Sequence, residues 1–139
     1  MDTTTSGTVS YRESYDIKTL VWASDQISRF IWRKFLVTQT IIITFLAVPV
    51  KESANLMSFQ GVLATDGNNT YLISYYKWHH GIHWQSIMGY SNKYCDWNWF
   101  RGPGDSIKTT YLYTNTGFMG QYIYKVNTRR CMDEGNTYF

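Results

Sequence analysis

Between Phe59 and Tyr76 the chain reads FQGVLATDGNNTYLISYY, two runs rich in β-branched and aromatic residues on either side of Asp66-Gly67-Asn68-Asn69. Asp-Gly between such runs supplies the unusual backbone angles of a tight reversal, and few short-range signals specify a hairpin as firmly. The pattern predicts strands over 59–65 and 70–76 with a turn at 66–69.

The flanking segments supply partners for that hairpin. Thr8 to Glu13 alternates as a short strand with Val9 and Tyr11 on one face. Ile17, Leu20, Val21, Ile27 and Ile31 recur at helical spacing, which predicts a helix over 17–31 with Asp16 as its N-cap and Asp25 on its polar side. Leu36 to Val50 reads LVTQTIIITFLAVPV between Lys34 and Lys51. It falls short of the roughly 20 apolar residues a spanning helix needs. It also carries Thr38, Gln39, Thr40 and Thr44 and reaches Pro49, and its Ile and Thr content favours a buried central strand over a membrane anchor.

A loop is expected over 51–57, a short strand over Gly81 to Gln85, and a loop rich in Asn, Asp, Gly and Trp over Ser91 to Asp105. Ile107 to Tyr113 and Gln121 to Val126 alternate as strands joined through Thr114-Asn115-Thr116-Gly117. Arg129 to Phe139 is polar and reads as a loose end or the start of another module. The expected class is α+β, mainly antiparallel β-sheet with one N-terminal helix (about residues 17–31) packed on it, in a single domain without repeats or linkers.

Composition narrows the function. A 139-residue chain with 44% hydrophobic residues can bury a core, which excludes collagen, coiled coil and low-complexity linker. A net charge of +3 from 13 basic and 10 acidic residues argues against nucleic acid as a partner. The unusual quantity is 18% aromatic residues, which suits strands and interaction surfaces. The opening Met-Asp-Thr-Thr-Thr-Ser-Gly has neither a basic nor an apolar stretch, so no signal peptide is read there; the chain is either cytosolic or a piece of a longer secreted protein. Cys95 and Cys131 are two buried thiols in a reducing cell, or one disulfide outside it.

Catalytic signatures are sparse: there is no Gly-x-Ser-x-Gly elbow, phosphate-cradling loop or His-Glu-x-x-His. His79 and His83, with Asp96 or Asp105, define an alternative reading as a metal-assisted hydrolase. Against it stand Gly81, which interrupts any helix between the histidines, and the lack of a nearby carboxylate or thiolate. Asp66-Gly67-Asn68-Asn69 offers oxygens to calcium, yet the turn already explains every residue there. No cofactor and no metal are therefore expected. Asn68-Asn69-Thr70 is a glycosylation sequon at the predicted hairpin tip. Tyr75, Tyr76, Trp78, Trp84, Trp97, Trp99 and Phe100 crowd the middle of the chain. Trp84 reads as core; for Trp97 and Trp99, partner binding and packing over an open end both fit.

Phe59-Gln60-Gly61-Val62-Leu63-Ala64-Thr65-Asp66-Gly67, then Tyr71 to Tyr75, then Gly81-Ile82-His83-Trp84 resemble the centre of a NIDO domain. This is the extracellular module of nidogen, alpha-tectorin and a transmembrane mucin. Val9-Ser10-Tyr11-Arg12-Glu13 with Asp16 resembles the family's opening, and Ile43-Thr44-Phe45 with Val48 its next strand; Phe100 to Asp105 and Gly120 to Val126 echo its closing half. Phe45 stands where the family usually has Trp, and His83 replaces the usual Gln. The resemblance covers residues 7–127, leaving 128–139 as a tail or the start of another module. It implies a non-enzymatic, extracellular module of a matrix or cell-surface adhesion protein that meets another protein or a glycan alongside other modules of a parent chain. No direct membrane insertion is implied. That setting also implies the Cys95–Cys131 bond, unless one of them pairs outside the chain, and a glycan on Asn68.

Overall fold

The computed structural model describes residues 7–49, 56–77, 88–91, 97–100, 111–112 and 114–127. The expected hairpin is its centre. β3 (Leu56–Thr65) and β4 (Thr70–Tyr76) pair antiparallel from Phe59 opposite Tyr76 to Thr65 opposite Thr70. Gly67 takes φ +97° in the turn, a conformation that costs a side-chain-bearing residue but not glycine. The Asp66 carboxylate accepts the Asn68 N–H at 2.8 Å and the Asn69 N–H at 2.6 Å, so the reversal is closed by its own side chain.

β2 (Gln39–Pro49) runs beside β3, and β1 (Thr8–Ser14) beside β2. β7 (Gln121–Lys125) pairs with the other edge of the hairpin. The result is a five-stranded antiparallel sheet in the order β1-β2-β3-β4-β7. Within the apolar run at 36–50, Gln39–Pro49 is an interior strand, as its composition predicts, and no described helix is long and apolar enough to cross a membrane. The β2–β3 register shifts between Phe45 and Val48, and Ala47 adopts φ +51° at that bulge.

Helix α1 (Ile17–Ile31) covers one face of the sheet. Asp16 caps it as expected: its carboxylate accepts the Thr19 N–H at 3.1 Å and the Thr19 hydroxyl at 3.2 Å. The buried stripe agrees with the expected one at Leu20, Ile27 and Ile31 and departs from it at Ile17 and Val21. Ala23 and Ile27 are fully buried, with Leu20, Trp22, Phe30 and Ile31 packed around them, whereas Ile17 is 69% and Val21 52% exposed. The helix is turned by its serines: Ser24 Oγ accepts the Val37 N–H at 2.9 Å and Ser28 Oγ accepts the Phe35 N–H at 2.9 Å, tying α1 to the chain that leads into β2. Beneath it Ile42, Val62, Ile73 and Ile123 lie opposite one another across β2, β3, β4 and β7 and are all buried.

Two further expectations are corrected. The segment 91–105, read as a loop, contains β6 (Trp97–Phe100), which pairs antiparallel with β5 (Met88–Ser91) in a separate two-stranded ribbon. Ladder pairing between two short segments overrides a polar, Asn- and Asp-bearing composition there. In the strand expected over 107–113, Tyr111 and Leu112 instead carry helical backbone. The Tyr111 carbonyl accepts the Gly120 N–H at 2.8 Å, so this turn closes the approach to β7 rather than extending the sheet. The expected strand over 81–85 lies outside the described residues.

Candidate functional site

The hairpin tip carries the sequon. Asn68 is exposed; its N–H is held by Asp66 and its carbonyl accepts from Asn127 Nδ2 at 2.6 Å. These are backbone bonds, so the turn is rigid while the Asn68 side-chain amide has no hydrogen-bond partner among the described residues. Asn127 also accepts the Thr70 N–H at 3.0 Å, linking the tip to the chain beyond β7. The Asn69 N–H, foremost, and the Asn68 N–H hold the Asp66 carboxyl below its usual range, against a weaker opposing effect of burial. Both oxygens of Asp66 are thus engaged in shaping the turn.

The face of the sheet opposite α1 is aromatic. Phe45 stacks on Phe59 with ring centroids 4.2 Å apart, Phe59 on Tyr76 at 5.5 Å, and Tyr76 meets Tyr122 edge-on at 6.1 Å. Tyr122 also stacks on Tyr124. Tyr122 and Tyr124 are buried in a cluster with Met57, Tyr76 and Val126, and burial pushes the hydroxyls of Tyr76 and Tyr122 upward in pKa. For Tyr122 the neighbouring Tyr76 adds to that effect. This half of the aromatic crowding is packing: Tyr75, on the other face, lies 5.8 Å from Trp22.

The same face as α1 has an open end. Ser10, Arg12, Thr44 and Gln60 line a groove of about 380 Å3 there, with Ile42 below and Tyr11 at its side. Gln60 Nε2 donates to Thr44 Oγ1 at 2.9 Å. Ser10, Arg12, Thr44 and Gln60 fall within segments that carry the family resemblance, but no motif marks them as a site. Alternation along each strand assigns them a face, but only the pairing of three separate strands makes them neighbours. Trp32 was missed as well: it is 93% exposed at the C-cap of α1, in the left-handed region at φ +56°. Its place just past the end of a helical stripe was the available signal.

Of the residues singled out from sequence, Trp97 and Trp99 lie on β6 opposite Ser91 and Gly89. His79, His83, Trp78, Trp84, Cys95, Asp96, Asp105 and Cys131 lie outside the described residues. Among the described residues no three His, Cys, Asp or Glu side chains are grouped to hold a metal ion.

Fold and surface together define a β-rich module built on one hairpin, with a helix on one face and aromatics on the other. The nidogen-like domain family, NIDO, matches residues 1–128, and the chain belongs to that family. NIDO domains are non-catalytic modules of extracellular proteins. No curated protein and no solved structure matches the chain significantly.

Proposed function

We propose that this chain is a non-enzymatic module of a larger matrix or cell-surface adhesion protein, outside the cell, that engages another protein or a glycan. The observation that carries this reading is the family match over residues 1–128, of modules that occur in extracellular proteins. In mechanical terms the sheet is the support. α1 braces one face and the aromatic ladder stiffens the other, while the tip at Asn68 and the β5–β6 ribbon bearing Trp97 and Trp99 offer contacts to partners. Residues 7–127 form the module, and 128–139 are a tail or the start of a following module. Cys95 bonds to Cys131, and Asn68 carries a glycan. The exposed Asn68, with its side-chain amide uncommitted and its backbone locked, supports the glycan assignment.

Non-reducing intact mass of the chain, secreted from a glycosylating host, tests this reading. The expected mass lacks two hydrogens relative to the reduced chain and drops by one N-glycan on enzymatic deglycosylation. Two free thiols with a bare Asn68 contradict it. The melting temperature is expected to stay unchanged on adding EDTA; a collapse indicates a metal-dependent fold and sinks the passive role.

A further inference from the structure

The strand register aligns Ser10, Thr44, Gln60, Tyr75 and Gln121 in a single row across the whole sheet, on the side that carries α1. α1 covers one end of that row. Trp22 packs on Tyr75, and Gln121 Nε2 donates to Gln26 Oε1 at 2.8 Å and to the Tyr75 hydroxyl. At the other end the row emerges into the groove of about 380 Å3 between β1 and β3. That volume lies near the lower end of the roughly 300–1,000 Å3 found for small-ligand sites.

The groove is rich in donors that the protein leaves uncommitted. Gln60 spends one amide N–H on Thr44 Oγ1, which leaves the Thr44 hydroxyl proton and Gln60 Oε1 available. The Ser10 hydroxyl and the Arg12 guanidinium have no hydrogen-bond or ion-pair partner among the described residues. Arg12 sits in the next row, opposite the buried Ile42. Glu13, its neighbour along β1, pairs with Ile41 and so belongs to the opposite face. The groove therefore holds a cation, hydroxyls and an amide over an apolar floor, and among the described residues no carboxylate lines it.

From this we infer that the groove binds a carboxylate-bearing saccharide, a uronate or sialate residue, with the sugar acid on Arg12. A guanidinium presents a planar fork of N–H donors that matches a carboxylate in two parallel bonds. Ser10, Thr44 and Gln60 then meet the ring hydroxyls, and Ile42 takes an apolar C–H face of the sugar. Among the described residues a single cation lines the groove, which is too few for a polyphosphate track. An extended acidic peptide is also a poor fit, because the groove lies on the face of the sheet and offers no ladder of backbone groups. The assignment refines the interaction role proposed above and rests on it.

Titration of the full chain at low salt with sialyllactose, with a hyaluronan tetrasaccharide and with neutral lactose, monitored by NMR, tests the inference. The expected result is binding of an acidic sugar with shifts centred on Arg12, Thr44 and Gln60, and lactose at least about tenfold weaker, the scale of a charge-assisted bond. Which of the two acidic sugars binds more tightly identifies the source of the carboxylate. Arg12→Gln is expected to weaken binding by about tenfold or more, and Arg12→Lys, which keeps the charge but not the fork, by less. Arg12 is exposed, so both variants are expected to melt with the parent. Equal affinity for lactose, binding that survives Arg12→Gln, tighter binding of an acidic peptide, or no binding at all overturns the assignment. If the chain is nevertheless disulfide-bonded and glycosylated, the extracellular role stands and only the groove assignment falls.

Discussion

The two faces of the sheet are held by different kinds of interaction. On the α1 side, Ile42, Val62, Ile73 and Ile123 form an aliphatic row under Ala23 and Ile27, and the helix is fastened by hydroxyls reaching backbone amides. On the other side, Phe45, Phe59, Tyr76 and Tyr122 cross four strands as one aromatic ladder. Small and aliphatic residues permit the close approach of a helix; large rings fill the space above a sheet without one. The contrast also separates function. Among the described residues the helix covers only part of its face, and the remaining end is polar rather than aromatic, which is where the proposed ligand would find donors.

The largest expected effect breaks this comparison if it fails. Ile73→Ala empties the centre of the aliphatic row and is expected to cost about 3 kcal/mol, whereas Leu63→Ala, half-buried on the aromatic side, costs about 1 kcal/mol. Denaturant unfolding of both variants measures the difference, and equal losses remove the asymmetry. Gly120→Ala tests the aromatic side. Gly120 has φ +73°, and an added Cβ would lie 2.5 Å from the Tyr76 carbonyl oxygen and 2.6 Å from the Tyr111 ring. Strain and clash together are expected to cost about 2 kcal/mol or more, read by the same unfolding curves.

Ionisation sharpens the comparison further. Tyr76 and Tyr122 have folded-state pKa values raised by burial above the ordinary tyrosine value of 10.0. A group raised in the folded state contributes stability that is complete below its unfolded value and is lost as the pH climbs toward its folded one. Stability is therefore expected to fall above pH about 10, with these phenols titrating late in the ultraviolet spectrum. Tyr122→Phe is expected to flatten that alkaline loss. The smallest effect lies on the helix side: Asp16→Ala removes the cap on Thr19 and is expected to cost about 1 kcal/mol in thermal unfolding.

What could be read from the sequence was what neighbouring residues decide together. The turn at Asp66-Gly67-Asn68-Asn69, both bounds of α1 and the Asp16 cap are such cases. The helix stripe was legible at Leu20, Ile27 and Ile31 but not at Ser24 and Ser28, whose part in the packing depends on Val37 and Phe35 outside the helix. β6 was hidden because Trp97-Asn98-Trp99-Phe100 becomes a strand only beside Met88–Ser91. The sequon at Asn68 needed no structure to be found, whereas the groove did. Ser10, Thr44 and Gln60 come from three strands, and a slip of one residue in any pairing would turn one of them to the other face.

The order β1-β2-β3-β4-β7, with its aliphatic row under α1, is tested most directly by methyl–methyl NOEs in the full chain labelled at Ile and Val methyls. Unbroken contacts are predicted from Ile42 to Val62, Val62 to Ile73 and Ile73 to Ile123, with Ile27 reaching the same row. An Ile73 that lacks Ile123, or an Ile27 whose methyls see none of the four, would contradict the sheet on which both the family's framework and the groove depend.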